Sequence, residues 1–269
     1  MLRLAVRVTR EHAEIVLAEL LELAPGGVEE VELDGIVEYA VYGPPGELPS
    51  LPDLRAAAGG ALVEVSTSEI ADDWAERWRA FHVPLVLGDA LTVRPPWEPA
   101  GATPLDIVID PAQAFGTGAH ATTRLCLELL TELDAGGPLL DLGCGSGVLA
   151  IAAAKLGWAP VLAVDNDPQS IEATRANALI NGVEIGVERV DLRRDPLPAA
   201  PTVLANLLAP LLLALAPRIA SGPAPERLIA SGLLIAEGDP VAAAFGAAAL
   251  RESARRVRGD WAALALERS

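Results

Sequence analysis

Cysteine and histidine are scarce in this chain of 269 residues. The cysteines are Cys126 and Cys144, and so small a number predicts a protein that works without disulfides in a reducing cytoplasm. The histidines are His12, His82 and His120, which lie far apart and match no metal-ligand spacing. We therefore expect no metal site.

Long apolar runs are also missing. Neither the N-terminal "MLRLAVRVTREH" nor any later stretch resembles a signal peptide or an apolar span of about 18 residues. The expectation is a cytoplasmic protein without a membrane segment. Hydrophobic residues nevertheless make up 51% of the chain, which is enough for a buried core.

Basic residues are outnumbered by acidic ones. Lys and Arg together count 20 against 37 Asp and Glu, which gives a formal net charge of -17. Such a charge opposes binding to the phosphate backbone of nucleic acids and favours a basic partner, such as a cationic protein. A role of the acidity in solubility alone is an equally good interpretation.

The first part of the sequence predicts the order strand, helix, strand, strand, helix, strand. "LRLAVRV" alternates as a strand does, and Thr9 is placed to cap the helical "EHAEIVLAELLEL". "VEEVELDGIVEYAVY" predicts a hairpin that turns at Asp34-Gly35, and "ALVEVST" predicts a last strand. This order is typical of a small ferredoxin-like α+β domain, here residues 1–68.

A linker helix is predicted over residues 69–83, with Ser68 as its cap and with Trp74 and Trp78 on one face as packing anchors. From residue 84 to residue 269 short strands give way to alternating strand and helix patterns. That alternation predicts an α/β domain with a parallel sheet covered by helices on both faces.

A glycine loop lies inside the second domain. In "GPLLDLGCGSGVLAIAAAKLG" an apolar strand with Asp141 leads into Gly143, Gly145 and Gly147, and a helix follows. Glycine suits this place because a Cβ would keep a ligand away from the backbone and because the turn needs permissive dihedral angles. The start of the helix then offers free N–H groups to a ligand.

An acid follows the loop at the distance that nucleoside binding requires. "PVLAVDND" predicts a strand that ends at Asp165, where a carboxylate can accept both hydroxyl hydrogens of an adenosine ribose. The loop differs from the G-x-G-x-x-G of dinucleotide enzymes. Asp141 would repel a pyrophosphate but can accept hydrogen bonds from the ammonium group of S-adenosylmethionine, directly or through water. We therefore predict S-adenosylmethionine, with NAD as the alternative.

Two further strands end in polar residues. "GVERVDL" places Asp191 at a strand end, where it either binds the adenine amino group or is a surface acid. "TVLANLLAPL" places Asn206 at another strand end, where it either faces the ligand crevice or caps the next helix. Cys144 is interpreted as a small packing residue.

With these residues placed, the chain resembles the bacterial ribosomal protein L11 methyltransferase family over nearly its full length. The resemblance is sharpest in "DPAQAFGTGAHATTRLCLELL", residues 110–130, and it extends to the glycine loop, "AVDNDPQSIEATRANALINGV", "VLANLLAPL", "SGLL" and "GDWAALAL". The sequence departs from the family at His120-Ala121, where His-Pro is usual, and in a short segment after Asp191.

The resemblance implies a class I S-adenosylmethionine-dependent methyltransferase with a Rossmann-like seven-stranded sheet, preceded by a domain that recognises the substrate. The cofactor residues that it implies, together with those interpreted above, are Phe115, Gly116, Thr117, Thr123, Asp141, Gly143, Gly145, Asp165, Asn166, Asp191 and Asn206, with an adenine-side contact that also includes Leu192. Phe115 and Thr117 are expected to line the catalytic pocket in a segment that closes over the cofactor, and Asn206 is expected to act there as well.

The implied reaction is methylation of lysine side chains, of an N-terminal α-amino group, or of both, on ribosomal protein L11 by a monomeric enzyme. Methyl transfer is an in-line displacement at the methyl carbon of the sulfonium, with a neutral amine as the nucleophile. Asn206 is assigned an orienting role, because an amide cannot take a proton at neutral pH. His120 is either a base or a group that stabilises its own loop. Another protein substrate, a non-catalytic adaptor and an NAD-dependent oxidoreductase are the alternatives.

Overall fold

The computed structural model describes residues 2–13, 16–17, 20, 28–33, 35–43, 62–69, 82–111, 120–222 and 224–268. The chain divides into two compact units, Met1–Phe81 and His82–Ser269.

The N-terminal unit contains a four-stranded antiparallel sheet in the order β2-β3-β1-β4. Its strands are β1 (Leu2–Thr9), β2 (Glu29–Leu33), β3 (Ile36–Gly43) and β4 (Leu62–Glu69). The first and last strands lie side by side and the hairpin strands extend the sheet next to β1, which is the ferredoxin-like order. The predicted ferredoxin-like class of this unit is confirmed.

The local details of this unit follow the predicted pattern closely. Leu33 pairs with Ile36 across the hairpin, and Gly35 has a φ of 75°, as the two-residue turn requires. Thr9 precedes the 3-10 turn Arg10–His12, but its hydroxyl bonds to His12 Nδ1 at 3.2 Å instead of to a backbone N–H. Residue 34 and the second predicted helix, between β3 and β4, lie outside the described residues.

Strand β4 is longer than predicted. It continues through Ser68 to Glu69, because Glu69 pairs with Leu2 and so extends the ladder with β1. The start of the predicted linker helix at residue 69 is therefore wrong, and residues 82–84 have no regular structure. Residues 70–81, which include both tryptophans of the predicted helix, lie outside the described residues.

The C-terminal unit begins with a small three-stranded sheet, in which β5 and β6 are antiparallel and β6 and β7 are parallel. Alternating helices and strands follow. The strands are β5 (Leu85–Leu87), β6 (Leu91–Arg94), β7 (Leu105–Val108), β8 (Leu139–Leu142), β9 (Val161–Asp165), β10 (Gly186–Arg189), β11 (Thr202–Asn206), β12 (Arg227–Leu234), β13 (Leu250–Arg258) and β14 (Trp261–Arg268). The helices are α1 (Ala121–Thr131), α2 (Val148–Leu156), α3 (Pro168–Ile180), α4 (Ala209–Ala220) and α5 (Gly238–Gly246), with a 3-10 turn at Ile235–Glu237.

The main sheet has seven strands in the order β10-β9-β8-β11-β12-β14-β13. The first five strands in this order are parallel, and β14 is antiparallel to both of its neighbours. The order reverses between β8 and β11, so their carboxyl ends form the crevice where open α/β sheets bind ligands. Within the described residues, no helix is both long and apolar enough to cross a membrane.

Each face of the main sheet belongs to its own hydrophobic cluster. Leu139 and Ile229 face one cluster, which includes the apolar sides of α1 and α2, whereas the next residues in the same strands face the other cluster. That second cluster includes α4 and α5. Side chains alternate between the faces of a strand, so a strand covered on both sides reads as a continuous apolar run. This explains why "LLDL" and "AALAL" show no polar alternation.

A bulge in β12 brings this strand against the end of β11. The pairing with β14 shifts between Ala230 and Leu233, and Gly232 in the shift has a φ of 84°. A Cβ on Gly232 would lie 2.4 Å from the carbonyl oxygen of Leu207, which is backbone and cannot move aside. The residue after Asn206 thus packs on a glycine of the neighbouring strand.

We expect the substitution Gly232→Ala to lower the free energy of unfolding by about 2 kcal/mol or more, because it adds both a steric clash and a disfavoured φ. The control is Gly246→Ala in α5, where a Cβ would have no neighbour within 4 Å and φ is not positive. That change should leave stability equal or raise it by up to about 1 kcal/mol. Urea unfolding measures both, and equal stability of the two variants would contradict the role given to Gly232.

Candidate functional site

The predicted site residues of the main sheet lie at one edge. Asp165 and Asn206 are the last residues of β9 and β11, and Asp141 is the third of the four residues of β8. The register pairs Leu142 with both Val164 and Ala205, so the residues that follow these partners leave the sheet side by side. The sheet therefore gathers residues that are far apart in sequence at the point where the strand order reverses.

The glycine loop is attached to the end of β9. The N–H groups of Gly143 and Cys144 both donate to the carbonyl oxygen of Val164, at 2.8 and 3.0 Å. Gly143, Gly145 and Gly147 have φ values of 74°, 53° and 81°, so the predicted need for permissive residues is real at all three. A Cβ on Gly143 would also lie 2.4 Å from Leu207 Cδ2, which closes the loop against the end of β11.

Asp141 is a buried carboxyl group behind this loop. Its Oδ2 accepts a hydrogen bond from the N–H of Ala150 in α2 at 3.1 Å, and its Oδ1 has no partner among the described residues. Burial raises the pKa of Asp141 to about 7, the charge of Asp165 acts in the same direction, and the bond from Ala150 opposes them. An unpartnered buried acceptor is costly for the protein alone, and a cationic ligand would relieve it.

Asp165 connects the loop to the start of α3. Its Oδ2 accepts the N–H of Gly145 at 3.0 Å, and its Oδ1 accepts the N–H of Asp167 at 3.0 Å. Asp167 in turn caps α3 by accepting from Gln169 and Ser170. The Asp165 side chain is thus held in one orientation while half-exposed, and the following Asn166 is exposed.

The first turn of α1 is joined to the ends of β11 and β12. Asn206 Nδ2 donates to Thr123 Oγ1 at 3.3 Å, and the Ser231 hydroxyl donates to the carbonyl oxygen of Thr122 at 3.0 Å. Thr123 is fully buried. The cap of α4 is Leu208, so the interpretation of Asn206 as a helix cap is wrong: that helix begins too far downstream. The structure therefore brings Thr123 and Asn206 together.

His120 has a structural task. Its Nδ1 accepts from the N–H of Thr122 at 3.4 Å and lies 2.8 Å from the Thr122 hydroxyl, so it caps α1. The ring packs edge-on against Trp261, with the centroids 4.9 Å apart. Burial lowers the pKa of His120. The interpretation in which His120 stabilises its own segment therefore has direct geometric support.

The adenine-side prediction rests on Asp191, which lies two residues beyond the end of β10. Its Oδ1 accepts from the N–H of Arg193 at 2.9 Å, and its own N–H donates to Asp195 Oδ2 at 2.8 Å. The side chain of Leu192, the next residue in the sequence, is buried. The Asp191 side chain thus shapes a local turn at the sheet edge. Phe115, Gly116 and Thr117 lie outside the described residues, so their contribution stays a prediction.

Three polar residues in α3 and at its C-terminal cap, which the sequence analysis did not single out, bond to the glycine loop and to the end of β7. Thr174 donates to the carbonyl oxygen of Gly145 at 2.9 Å, and Asn177 donates to that of Ser146 at 2.9 Å. Asn181, just past the helix end, bonds to both backbone groups of Val108. The signal that could have found them is their spacing, because positions 174, 177 and 181 share one helix face in an alanine-rich segment.

The cysteines are buried and reduced. The pKa of the thiol of Cys144 is raised far above its usual value, first by burial and then by the charge of Asp141, and burial does the same for Cys126. Cys144 packs behind the loop with its sulfur 3.3 Å from the Thr174 hydroxyl. Among the described residues, no group of three His, Cys, Asp or Glu residues could hold a metal ion.

Known proteins share this architecture and sequence. The family model described as "Ribosomal protein L11 methyltransferase (PrmA)" matches residues 53–269. The chain belongs to the ribosomal protein L11 methyltransferase family. One relative bearing that name, from Pelobacter propionicus, is 41% identical over 74% of this chain and 68% of its own.

A second ribosomal protein L11 methyltransferase, from Pelotomaculum thermopropionicum, is 36% identical over 98% of this chain and 97% of its own. A solved structure of a ribosomal protein L11 methylase from Lactobacillus delbrueckii subsp. bulgaricus superposes with a TM-score of 0.62 at 30% identity. The superposition covers 69% of this chain and 98% of that one. Both relatives support the same family and fold.

As a member of this family, the chain is an S-adenosylmethionine-dependent protein methyltransferase with a Rossmann-like catalytic domain. The predictions of family, fold class, enzyme class and cofactor are therefore confirmed, and the NAD and adaptor alternatives are set aside. The residues present fit this cofactor. Asp141 offers a buried oxygen that has no partner in the part of the chain that the structure describes, and carboxylates suit an ammonium and a ribose better than a pyrophosphate.

Asp141 gives a pH-dependent prediction for the cofactor-free protein. A carboxyl whose pKa rises on folding stabilises the folded state fully below its unfolded pKa, and this contribution is lost as pH rises through the folded value of about 7. Asp141→Asn removes the buried charge. The variant should therefore unfold at a higher urea concentration than the wild type at about pH 8. Its free energy of unfolding should be larger by about 1 to 3 kcal/mol at that pH, and this difference should narrow toward about pH 5.

The matched control for this experiment is Asp167→Asn, which alters an exposed carboxylate that caps a helix. It should not gain stability at alkaline pH. If Asp141→Asn and the wild type showed the same pH dependence of unfolding, Asp141 would be ionised in the folded protein without a penalty.

Proposed function

We propose that this enzyme methylates amino groups of ribosomal protein L11: lysine side chains, the N-terminal α-amino group, or both. The observation that carries the substrate assignment is the Pelotomaculum relative, whose similarity covers 98% of this chain and therefore includes both units. The net charge of -17 supports a basic protein as partner and disfavours direct binding to nucleic acid. A monomeric, cytoplasmic enzyme suits such a substrate.

The cofactor is assigned to the edge formed by the glycine loop and the ends of β9 and β11. Bound S-adenosylmethionine supplies an activated methyl group on a sulfonium centre. The backbone at Gly143 and Gly145 provides a surface without side chains, and Asp165 uses two of its roughly four lone-pair positions on the loop and on α3, which leaves acceptors for ribose hydroxyls. Asp141 Oδ1 accepts from the ammonium group, directly or through water.

Other predicted residues receive supporting roles. Asn166 follows Asp165 and is exposed at the sheet edge, where it borders the ribose. Asp191 and Leu192 are assigned to the border of the adenine. The Asp191 carboxylate already accepts a hydrogen bond within its own turn, so the turn as a whole, and not a free carboxylate, is assigned to this contact. Phe115, Gly116 and Thr117 are assigned to the pocket wall by the family resemblance.

Asn206 is assigned to the substrate amine. Its Nδ2 donates to Thr123, which holds the amide in a fixed orientation, and the carbonyl oxygen Oδ1 is then the atom that accepts the amine's hydrogens. A neutral amine is required for attack, and a low-dielectric site lowers the pKa of a lysine. The chain thus contributes alignment and desolvation, while water accepts the proton. We assign Thr123 chiefly to orienting Asn206.

Asp165→Ala should weaken the binding of S-adenosylmethionine by about tenfold to a hundredfold, because it removes charge-assisted hydrogen bonds to the ribose and releases Gly145. Isothermal titration calorimetry with the full chain measures the change. The control is Asp167→Ala, which removes the cap of α3 and should lower stability while leaving the affinity within about twofold. Unchanged affinity of Asp165→Ala would overturn the assignment.

The proposed substrate is tested by incubating the full chain with S-adenosylmethionine and purified L11, followed by mass mapping of the modified amines. We expect methylated lysine or α-amino groups on L11. A second arm uses residues 82–269, the C-terminal unit, which should bind the cofactor but methylate L11 at least about tenfold more slowly, because recognition is assigned to the N-terminal unit.

The full chain tests the identity of the substrate, and residues 82–269 test the recognition role of the N-terminal unit. Absence of methylation on L11 by the full chain, with cofactor binding intact, would mean that another protein is the substrate. Full activity of residues 82–269 on L11 would keep the substrate but contradict the recognition role of the N-terminal unit.

A further inference from the structure

The side-chain amide of Asn177 makes two hydrogen bonds to two different segments. Its Nδ2 donates to the carbonyl oxygen of Ser146 in the glycine loop at 2.9 Å, and its Oδ1 accepts from the N–H of Asp110 at 3.0 Å. The side chain is buried, with 1% of its surface exposed. Loop and segment are 36 positions apart in the sequence and are connected here through one amide group.

The rest of the same helix face shows why this bridge differs from its neighbours. Thr174 bonds to the glycine loop, through the carbonyl oxygen of Gly145, and Asn181 bonds to the backbone of Val108 at the end of β7 and to the carbonyl oxygen of Asn177. Asn177 lies between them on the helix and is the one of the three that holds both segments. Removing it separates the loop from the chain at Asp110 without removing the bonds of its neighbours.

The peptide that Asn177 holds belongs to the turn between the glycine loop and α2. The Ser146 carbonyl belongs to the peptide bond whose N–H is that of Gly147, and Gly147 caps α2. On the other side of Ser146, Gly145 donates its N–H to Asp165 and accepts from Thr174. The Gly147 N–H donates to the carbonyl oxygen of Cys144 at 2.8 Å, so a rotation of the peptide after Ser146 would break this hydrogen bond and displace the turn that leads into α2.

We propose that Asn177 is a positioning residue for the cofactor site, which keeps the glycine loop and the chain at Asp110 at one fixed spacing. It acts through the backbone of Ser146 and Asp110 and does not contact the reacting atoms. The inference depends on the glycine loop as the cofactor cradle and is independent of the protein substrate. The amide suits this task because it combines a donor and an acceptor in one rigid plane.

The first test compares Asn177→Ala with Asn181→Ala in the full chain. Asn177→Ala removes two side-chain hydrogen bonds to backbone groups and Asn181→Ala removes three, so both should lower Tm. Asn177→Ala should also weaken binding of S-adenosylhomocysteine by about tenfold, measured by calorimetry well below each Tm, whereas Asn181→Ala should stay within about twofold. Equal changes in Kd, or an unchanged Kd for Asn177→Ala, would overturn the proposal.

The second test uses Asn177→Asp, which preserves the size of the side chain and the acceptor for Asp110 and therefore remains informative if Asn177→Ala fails to fold. At about pH 8 the introduced carboxylate faces the Ser146 carbonyl without a proton to donate, so the Kd should rise about tenfold or more relative to wild type. At about pH 5 a protonated carboxyl can donate, so the ratio of the two Kd values should fall.

The ratio is the decisive quantity, because Asp141 titrates in both proteins and its effect on the cofactor cancels in the comparison. Both Kd values are measured well below each Tm, so that loss of folded protein does not enter the ratio. A ratio that stays constant between about pH 5 and pH 8 would therefore contradict a positioning role through Ser146.

Discussion

The carbonyl oxygen of Val164 accepts two hydrogen bonds, from Gly143 and from Cys144, and the site depends on this attachment. It joins the turn after β8 to the end of β9, so the loop cannot shift without breaking these two hydrogen bonds. Because the loop is attached there, Gly145 meets Asp165, and the Asp165 carboxylate keeps its orientation. The proposed cofactor site at this edge therefore takes its shape from backbone hydrogen bonds, and the side chains complete it.

Two acids lie in the same small volume, and their environments separate their roles. Asp165 is half-exposed and accepts two backbone N–H groups, which suits an acceptor of hydroxyl groups. Asp141 is buried, one of its oxygens accepts from none of the described residues, and its pKa is raised to about 7 mainly by burial. A cationic ligand next to Asp141 would favour the ionised form of this carboxyl group, because it would supply a positive charge beside it. The preference for a sulfonium cofactor over a pyrophosphate follows from this pair.

Much of the site could be predicted from the sequence, because its rules are local. A strand, a glycine turn, a helix and a downstream acid occupy a short stretch of chain, and each element has its own residue preferences. The structure agrees at Gly143, Gly145 and Gly147, whose φ values are all positive, and at Asp165 and Asn206, which end their strands. The hairpin at Gly35 was predictable for the same reason.

Other features were hidden from the sequence because they depend on which segments meet in space. The extension of β4 to Glu69 follows from pairing with Leu2 near the other end of the unit, and no local pattern shows this. The same holds for the bridge from Asn177 to Asp110, since polar residues in an alanine-rich helix read as surface positions until the partner backbone is known. Propensity governs single elements, whereas the partner of a buried amide is decided by topology.

The catalytic unit has two glycine-bearing segments, which differ in how they are attached to the rest of the fold. The loop at Gly143–Gly147 is attached to β9, to Asp165 and to α3, so it is rigid before any ligand arrives and costs little to organise on binding. The segment that begins at Asp110 carries the sharpest resemblance to the family, and Asn177 bonds to its first amide. A preformed cradle with an anchored neighbour requires a polar side chain at the junction of the two. A buried apolar residue there would leave the Ser146 carbonyl and the Asp110 N–H without these hydrogen bonds. The amide at position 177 is therefore explained by the backbone that it satisfies, even though it lies on a helix that the glycine motif does not include.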